Sequence, residues 1–143
     1  MKNSRSRARE FALQGLYQWL LSGTDPAVVR AQLAEADAFA QCDAAFFDRM
    51  WQGVTTDYDV LVSAIAPHCD RPAAQLSPIE KSVLVIGAWE LLREPHVPYR
   101  VAINEAVELA KTYGGTDGHK FVNGVLDKLA AAARAPEVSA ARA

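Results

Sequence analysis

The chain has 143 residues, half of them apolar, which is enough for one ordinary domain with a real core and without structural disulfides. Its two cysteines, Cys42 and Cys69, form no C-x-x-C pair and are too few for a secreted disulfide framework. No apolar stretch is long enough to span a bilayer, so the sequence predicts a soluble protein of the cytoplasm that makes no contact with a membrane.

The start of the chain is basic although the formal net charge of the whole is −2. Lys2, Arg5, Arg7 and Arg9 crowd the first nine residues, whereas residues 25–70 hold two arginines against eight carboxylates. On a helix, Arg5 and Arg9 share one face and Arg7 points about 200° away, which makes a basic collar. Such a collar could bind a polyphosphate backbone, or it could be a solvated, frayed terminus.

Helical periodicity predicts three helices in the N-terminal half. The first covers about 4–22 and carries an apolar stripe beneath the arginines. Asp25-Pro26 supplies an N-cap acceptor and a first-turn proline for a second helix, which runs to about residue 38. A long third helix at 47–65 has its apolar residues at strict helical spacing and ends before Pro67.

Three more helices are predicted in the C-terminal half. Ser77-Pro78-Ile79-Glu80 combines a capping box with a first-turn proline. The body that follows, 81–93, is apolar nearly all round, which indicates a buried central helix. The next helix closes at Gly114-Gly115, and the last begins near Asp117. Residues 135–143, rich in alanine, are expected to be a disordered tail.

These six helices, with a proline-containing joint halfway, predict an all-α fold of two packed three-helix bundles that share one continuous core. We place the N-terminal bundle at about 4–66 and the C-terminal bundle at about 77–133, within a single domain of residues 1–134. Gly87 and Gly124 each cost a helix about 1 kcal/mol relative to alanine, and close helix crossings would explain both.

The sequence gives no positive support for catalysis. His68, Cys69 and Asp70 are adjacent, but their spacing fits no recognised zinc pattern. No nucleophile elbow, phosphate-binding glycine loop or metalloprotease motif occurs. We therefore expect no enzymatic activity, no metal and no cofactor.

Residues 114–128 combine a glycine turn with a helix that carries polar and aromatic side chains from its start. Lys120 can meet phosphate, Phe121 can offer a stacking face, and Asn123 can bond a base edge or a backbone group, which would suit single-stranded RNA. In the alternative, Phe121 is the outer edge of the core stripe, at i and i+4 with Val125, and Asn123 caps a neighbouring helix. Spacing alone favours this structural alternative.

Three segments of the chain resemble the bacterial transcription antitermination proteins of the NusB family. They are VPYRVAINEAVELAKTYGGTDGHKFVNGVLDKLA at 97–130, RAREFALQGLYQW at 7–19 and SPIEKSVLVIGAWEL at 77–91. Together they cover nearly half the chain, in the family's order and spacing. The resemblance implies the NusB-like fold of two three-helix bundles and a protein without enzymatic activity.

The resemblance also implies a function. NusB-like proteins bind the boxA element of nascent RNA together with NusE, a small-subunit ribosomal protein, and join NusA and NusG on RNA polymerase to suppress termination in ribosomal RNA operons. By position, the RNA-binding residues of the family fall on Lys2, Arg5, Arg7, Arg9, Asp117, Lys120 and Phe121. Tyr17 and Glu80 match positions expected to face NusE. Ser6 stands where relatives often have another arginine, so RNA affinity is expected to depend more on the partner.

Two other functions fit the same residues less well. One is a purely protein-binding helical adaptor whose arginines only confer solubility. The other is a stand-alone relative of the RNA-binding domain of an rRNA methyltransferase, for which the chain has no room for a cofactor-binding sheet. The sequence leaves open a monomer or a homodimer, the preferred RNA sequence, and whether Tyr17 meets protein or RNA.

Overall fold

The computed structural model describes residues 3–115 and 117–142, which are helical without any strand. The α-helices, in chain order, are α1 (Ser4–Ser22), α2 (Pro26–Ala34), α3 (Ala44–Thr56), α4 (Tyr58–Ile65), α5 (Pro78–Arg93), α6 (Tyr99–Tyr113), α7 (Gly118–Ala133) and α8 (Ala135–Arg142). Short 3-10 helices occur in the connections at Asp37–Gln41, Ala66–His68 and Ala73–Gln75. In these described ranges, none of the helices combines the length and apolarity that a membrane crossing requires. The predicted all-α class is confirmed.

The helices begin and end at the local signals read from the sequence. Asp25 caps α2 with its side chain, and Pro26 occupies the first turn. Ser77 and Glu80 form the predicted capping box at the start of α5. Gly23 ends α1 in the left-handed conformation, at φ 71°, which an L side chain rarely adopts.

Helix α5 is the centre of the molecule, as its all-round apolar sequence predicts. Every residue from Ser82 to Leu91 is buried, because α1, α3, α4, α6 and α7 all pack against α5. Helices α1 and α3 lie on one side with α2, and α6 and α7 pair on the other. The buried apolar side chains of both groups form one continuous core cluster. We therefore propose that residues 1–134 form a single domain, as the sequence predicts.

Close helix crossings explain one of the two helical glycines singled out in the sequence. A Cβ on Gly87 would lie 2.6 Å from Cδ1 of Leu126, so α5 and α7 approach too closely for a side chain there. A Cβ on Gly124 would meet nothing within 4 Å, and the predicted crossing at Gly124 is wrong.

The predicted long helix at 47–65 is two helices. Helix α3 begins at Ala44 because the carboxylate of Asp43 caps its N-terminus, and it ends at Thr56. Asp57, at φ −103° and ψ 22°, leaves the helical conformation, and α4 restarts at the next residue. A break of one residue leaves the apolar spacing almost unchanged, so periodicity could not show it. The second helix is also shorter than expected and ends at Ala34.

The predicted disordered tail is instead helix α8 as far as Arg142, and Ala143 lies outside the described residues. Polar contacts dock this helix. Arg134 donates to the backbone oxygens of Pro95 and Val97, and the backbone N–H of Tyr99 donates to Glu137 at 2.7 Å. Composition gave no sign of this docking, because its partners lie about forty residues earlier in the chain.

Candidate nucleic-acid interface

Arg9 is not the exposed phosphate contact that its position in the collar predicts. Its side chain is buried, with the residue 3% exposed, and donates twice to Glu90, from Nε at 2.8 Å and from Nη2 at 2.5 Å. Nη1 lies 3.2 Å from Oε1 of Glu105. The guanidinium therefore joins α1 to α5 and α6, and the expectation that Arg9 is an exposed member of the basic collar is wrong. The physical reason is that α6 covers this flank of α1 with a carboxylate.

Arg5, one turn earlier, lies against α3 and remains partly exposed. Its guanidinium carbon is 4.4 Å from the centre of the Phe46 ring, and Nε is 3.5 Å from Oδ2 of Asp43. The backbone N–H of Phe46 donates to Asp43 and is the main reason why the pKa of Asp43 is lowered, with Arg5 adding to the effect. A phosphate that binds Arg5 must therefore compete with Asp43.

Arg7 lies on another face of α1 and lines a groove of about 400 Å³. The side chain of Arg7 makes no hydrogen bond or ion pair with any of residues 3–115 or 117–142. The remainder of the groove is largely apolar and aromatic, and is lined by Glu10, Phe11, Leu13, Gln14, Tyr17, Ala38, Ile79 and Tyr113. The predicted collar is thus divided among three environments: Arg5 on α3, Arg7 in the groove and Arg9 in the interior. Lys2 lies outside the described residues.

Two tyrosines expose aromatic surface along this groove. Tyr17 is 40% exposed, and Tyr113 is 46% exposed. The hydroxyl of Tyr113 donates to Oε2 of Glu10 at 2.7 Å, which ties the end of α6 to α1 and raises the pKa of Tyr113 to about 12. Exposed aromatic side chains in an apolar groove are typical of protein interfaces. The accessible position of Tyr17 therefore fits the expected contact with a partner protein.

The first turn of α5 connects this groove to the start of α7. Ile79 lines the groove, and the next residue, Glu80, caps α5 together with Ser77. A Cβ on Gly118, the first residue of α7, would lie 3.8 Å from Cγ of Glu80. Glu80 therefore lies between the groove and the segment that carries Asp117, Lys120 and Phe121.

On α7, the polar candidates are accessible and the aromatic one is half-buried. Nζ of Lys120 lies 3.5 Å from Oδ1 of Asp117, and both side chains are about three-quarters exposed. Phe121 packs against the edge of the core. The structural alternative therefore holds in part, because the ring packs against the core but is only half-buried. The RNA-stacking role of Phe121 stays a prediction.

The sequence missed a residue that contacts this ring. Arg71 places its guanidinium carbon 4.2 Å from the centre of the Phe121 ring. Its side chain is 41% exposed, and Nε lies 3.3 Å from Oδ1 of Asp70. The sequence does not indicate this contact, because Arg71 follows an acidic segment in a short proline-containing joint, far from Phe121 in the chain.

Asn123, the third member of the set expected to meet RNA, lies on a different side of α7. It lines a polar recess of about 240 Å³, whose other lining residues are Tyr99, Arg100, Ile103, Asn104, Asp127 and Arg142. Two residues of helix rotate by about 200°, so Asn123 cannot share the face of Phe121. In the described part of the chain, no group of three or more His, Cys, Asp or Glu side chains is placed to hold a metal ion.

Comparisons with known proteins agree with the resemblance in sequence. The model of the NusB family matches residues 6–131. The transcription antitermination protein NusB of Ralstonia pickettii is 54% identical over 141 residues, which cover 99% of this chain and 91% of that protein. The NusB of Thiobacillus denitrificans is 55% identical over 142 residues, which cover 99% of this chain and 98% of the relative.

Solved structures show the same fold. NusB of T. maritima superposes with a TM-score of 0.82 at 27% identity and covers 97% of this chain and 99% of its own. A second structure contains the antitermination factors NusB and NusE in complex with dsRNA. It matches with a TM-score of 0.79 at 25% identity, covering 92% of this chain and 99% of the matched one.

Proposed function

Because this chain belongs to the NusB family, we propose that it is an RNA-binding transcription antitermination factor that acts as a heterodimer with NusE. The observation that carries the proposal is the match over 92% of the chain to a NusB that was solved with NusE and RNA. The proposed role is binding and assembly, without catalysis, and its place is the cytoplasm, where bacterial RNA polymerase works. The more specific target is the boxA element of nascent ribosomal RNA, in a complex with NusA, NusG and RNA polymerase.

For the RNA surface, we propose Arg5, Arg7 and Lys120 as phosphate contacts, with Asp117 and Phe121 beside Lys120. Lys2 joins them by its position in the sequence. Three to four phosphate contacts on a single strand give a salt slope of only about −2 to −3, at about 0.7 per contact. This electrostatic attraction is weak and reads no sequence, so a second protein that completes the surface is physically reasonable.

For the partner surface, we propose the groove that Tyr17 lines, together with Glu80 at its edge. Support comes from the exposed aromatic surface of Tyr17 and Tyr113 and from the apolar remainder of the groove. The same surface could pair with a second copy of the chain, and such a homodimer would compete with NusE for it.

Fluorescence titration of a boxA single strand, with and without NusE and across a salt series, tests the function. We expect binding that NusE strengthens and that weakens with salt. A scrambled single strand is the matched control, and a duplex of the same length separates binding to single-stranded RNA from binding to double-stranded RNA. Absent or salt-independent binding in both cases would contradict the RNA-binding role and leave the protein-binding adaptor. Sedimentation of the protein alone reports self-association.

A further inference from the structure

The Phe121 ring is already covered in part by a cationic side chain. Phe121 packs against the edge of the core on one side, and the guanidinium of Arg71 lies 4.2 Å from the ring centre. At that separation the guanidinium is in van der Waals and cation–π contact with the ring. While Arg71 stays in this position, a nucleobase has no direct access to the covered part of the ring.

Arg71 itself has the properties of a stacking platform. Its guanidinium is planar and permanently charged, and RNA-binding proteins stack unpaired bases on such planes as well as on aromatic rings. The side chain is 41% exposed. The carboxylate of Asp70 is its single ion partner in the described ranges, at 3.3 Å and itself 72% exposed, and such surface pairs are weak. Asp70 therefore does little to prevent Arg71 from meeting a ligand.

The surroundings of Arg71 are favourable to a nucleic-acid strand. Lys120 precedes Phe121 on α7 and is 74% exposed. Lys128, further along α7, and Arg71 both act on the thiol of Cys69 and oppose the burial that raises its pKa. Two cations, Lys120 and Lys128, thus belong to the helix that carries Phe121, and Arg71 adds a third positive charge over the ring.

We propose that Arg71 is the base-stacking residue of this surface and that Phe121 is the positioning residue beneath it, so that RNA binding produces a stack of phenyl ring, guanidinium and nucleobase. This inference rests on the proposed RNA-binding function and assigns the stacking contact to a different residue. Phe121 orients the guanidinium plane and limits its rotamers, while Arg71 contacts the base.

Affinity for a boxA single strand, measured by fluorescence anisotropy with the full-length protein in complex with NusE, tests the proposal. Stacking of one base predicts that Arg71→Ala weakens binding about 5- to 160-fold. Arg71→Lys keeps the charge without the plane, so we expect it to preserve the salt slope but to recover little of the affinity. Full recovery by lysine would show a simple phosphate contact and overturn the proposal.

A double-variant cycle separates the two roles. If Phe121 acts through Arg71, then Phe121→Leu weakens binding, and the double variant with Arg71→Ala binds no worse than Arg71→Ala alone. Losses that multiply would show that Phe121 stacks on RNA independently. Unchanged binding by Arg71→Ala would show that Arg71 does not contact the RNA, and tighter binding would show that it blocks access to the ring. Multiplying losses, unchanged binding and tighter binding would each overturn the proposal.

Arg30→Ala is the matched control, because Arg30 also lies over a phenylalanine ring, 4.9 Å from the centre of Phe39, and pairs with Asp48. We expect it to leave RNA affinity unchanged, and thermal unfolding of every variant confirms that it is folded. If the unaltered complex fails to bind RNA, that result contradicts both the proposed function and this inference. Normal binding by the unaltered complex and by Arg71→Ala overturns the inference alone.

Discussion

Replacing Arg9 with alanine should destabilise the fold rather than only weaken RNA binding. Glu90 is 1% exposed and accepts two hydrogen bonds from Arg9, so the substitution leaves a buried carboxylate without its cation. Glu105 loses less, because it is 23% exposed and still accepts from the hydroxyl of Ser6 at 2.7 Å. Removing one partner of a buried ion pair costs about 3 to 5 kcal/mol. That is a fifth or more of the stability of a typical domain, which is about 5 to 15 kcal/mol.

Urea unfolding followed by circular dichroism measures this loss. The matched control is Arg7→Ala, in the same helix but without an ion pair to the described residues, for which we expect a change within about 0.5 kcal/mol. The double variant Arg9→Met with Glu90→Leu should recover most of the stability, because no buried charge then lacks a partner. A loss below about 1 kcal/mol for Arg9→Ala, or an equal loss for Arg7→Ala, would refute the reasoning.

Three further predictions concern stability. Gly124→Ala should raise the free energy of unfolding by about 1 kcal/mol, since a Cβ there meets nothing within 4 Å, whereas Gly87→Ala should lower it because a Cβ there would collide with Leu126. Thermal unfolding compares the two variants, and a lower stability of Gly124→Ala would contradict the first expectation. Because the pKa of Tyr113 is raised to about 12, its hydrogen bond should contribute fully below pH 10, the ordinary pKa, and be lost as the pH rises to 12. Tyr113→Phe should remove that alkaline dependence in urea unfolding, and an unchanged profile would count against the bond. Asp43 has a lowered pKa, so its stabilisation should be present above pH 3.8 and be lost on further acidification. Asp43→Ala should lower the free energy of unfolding by about 0.5 to 2 kcal/mol, because α3 loses its N-cap, and Asp43→Asn should lower it less, because asparagine can still cap the helix. Equal losses in the two variants would show that the charge of Asp43 is what stabilises the protein, and not the cap.

Most of the helices could be predicted because their signals are local. A capping box and a first-turn proline fixed the start of α5, and its all-round apolar sequence predicted the central position that the structure confirms. The break at Asp57 and the docking of α8 could not be predicted. The break preserves the apolar spacing, and α8 is held by Glu137 and Arg134 through contacts with the distant segment before α6.

For the candidate site, the sequence by itself determined which residue types are available: a basic start on α1, an apolar stripe beneath it, and a lysine and a phenylalanine at the start of α7. Only the tertiary structure decided which of these side chains are free. Arg9 meets Glu90 across 81 residues of sequence and becomes part of the core, while Arg71 comes from a distant joint to cover Phe121. The physical reason is that helical periodicity and caps act within one helix, whereas the partner of a charge depends on which helices pack against it.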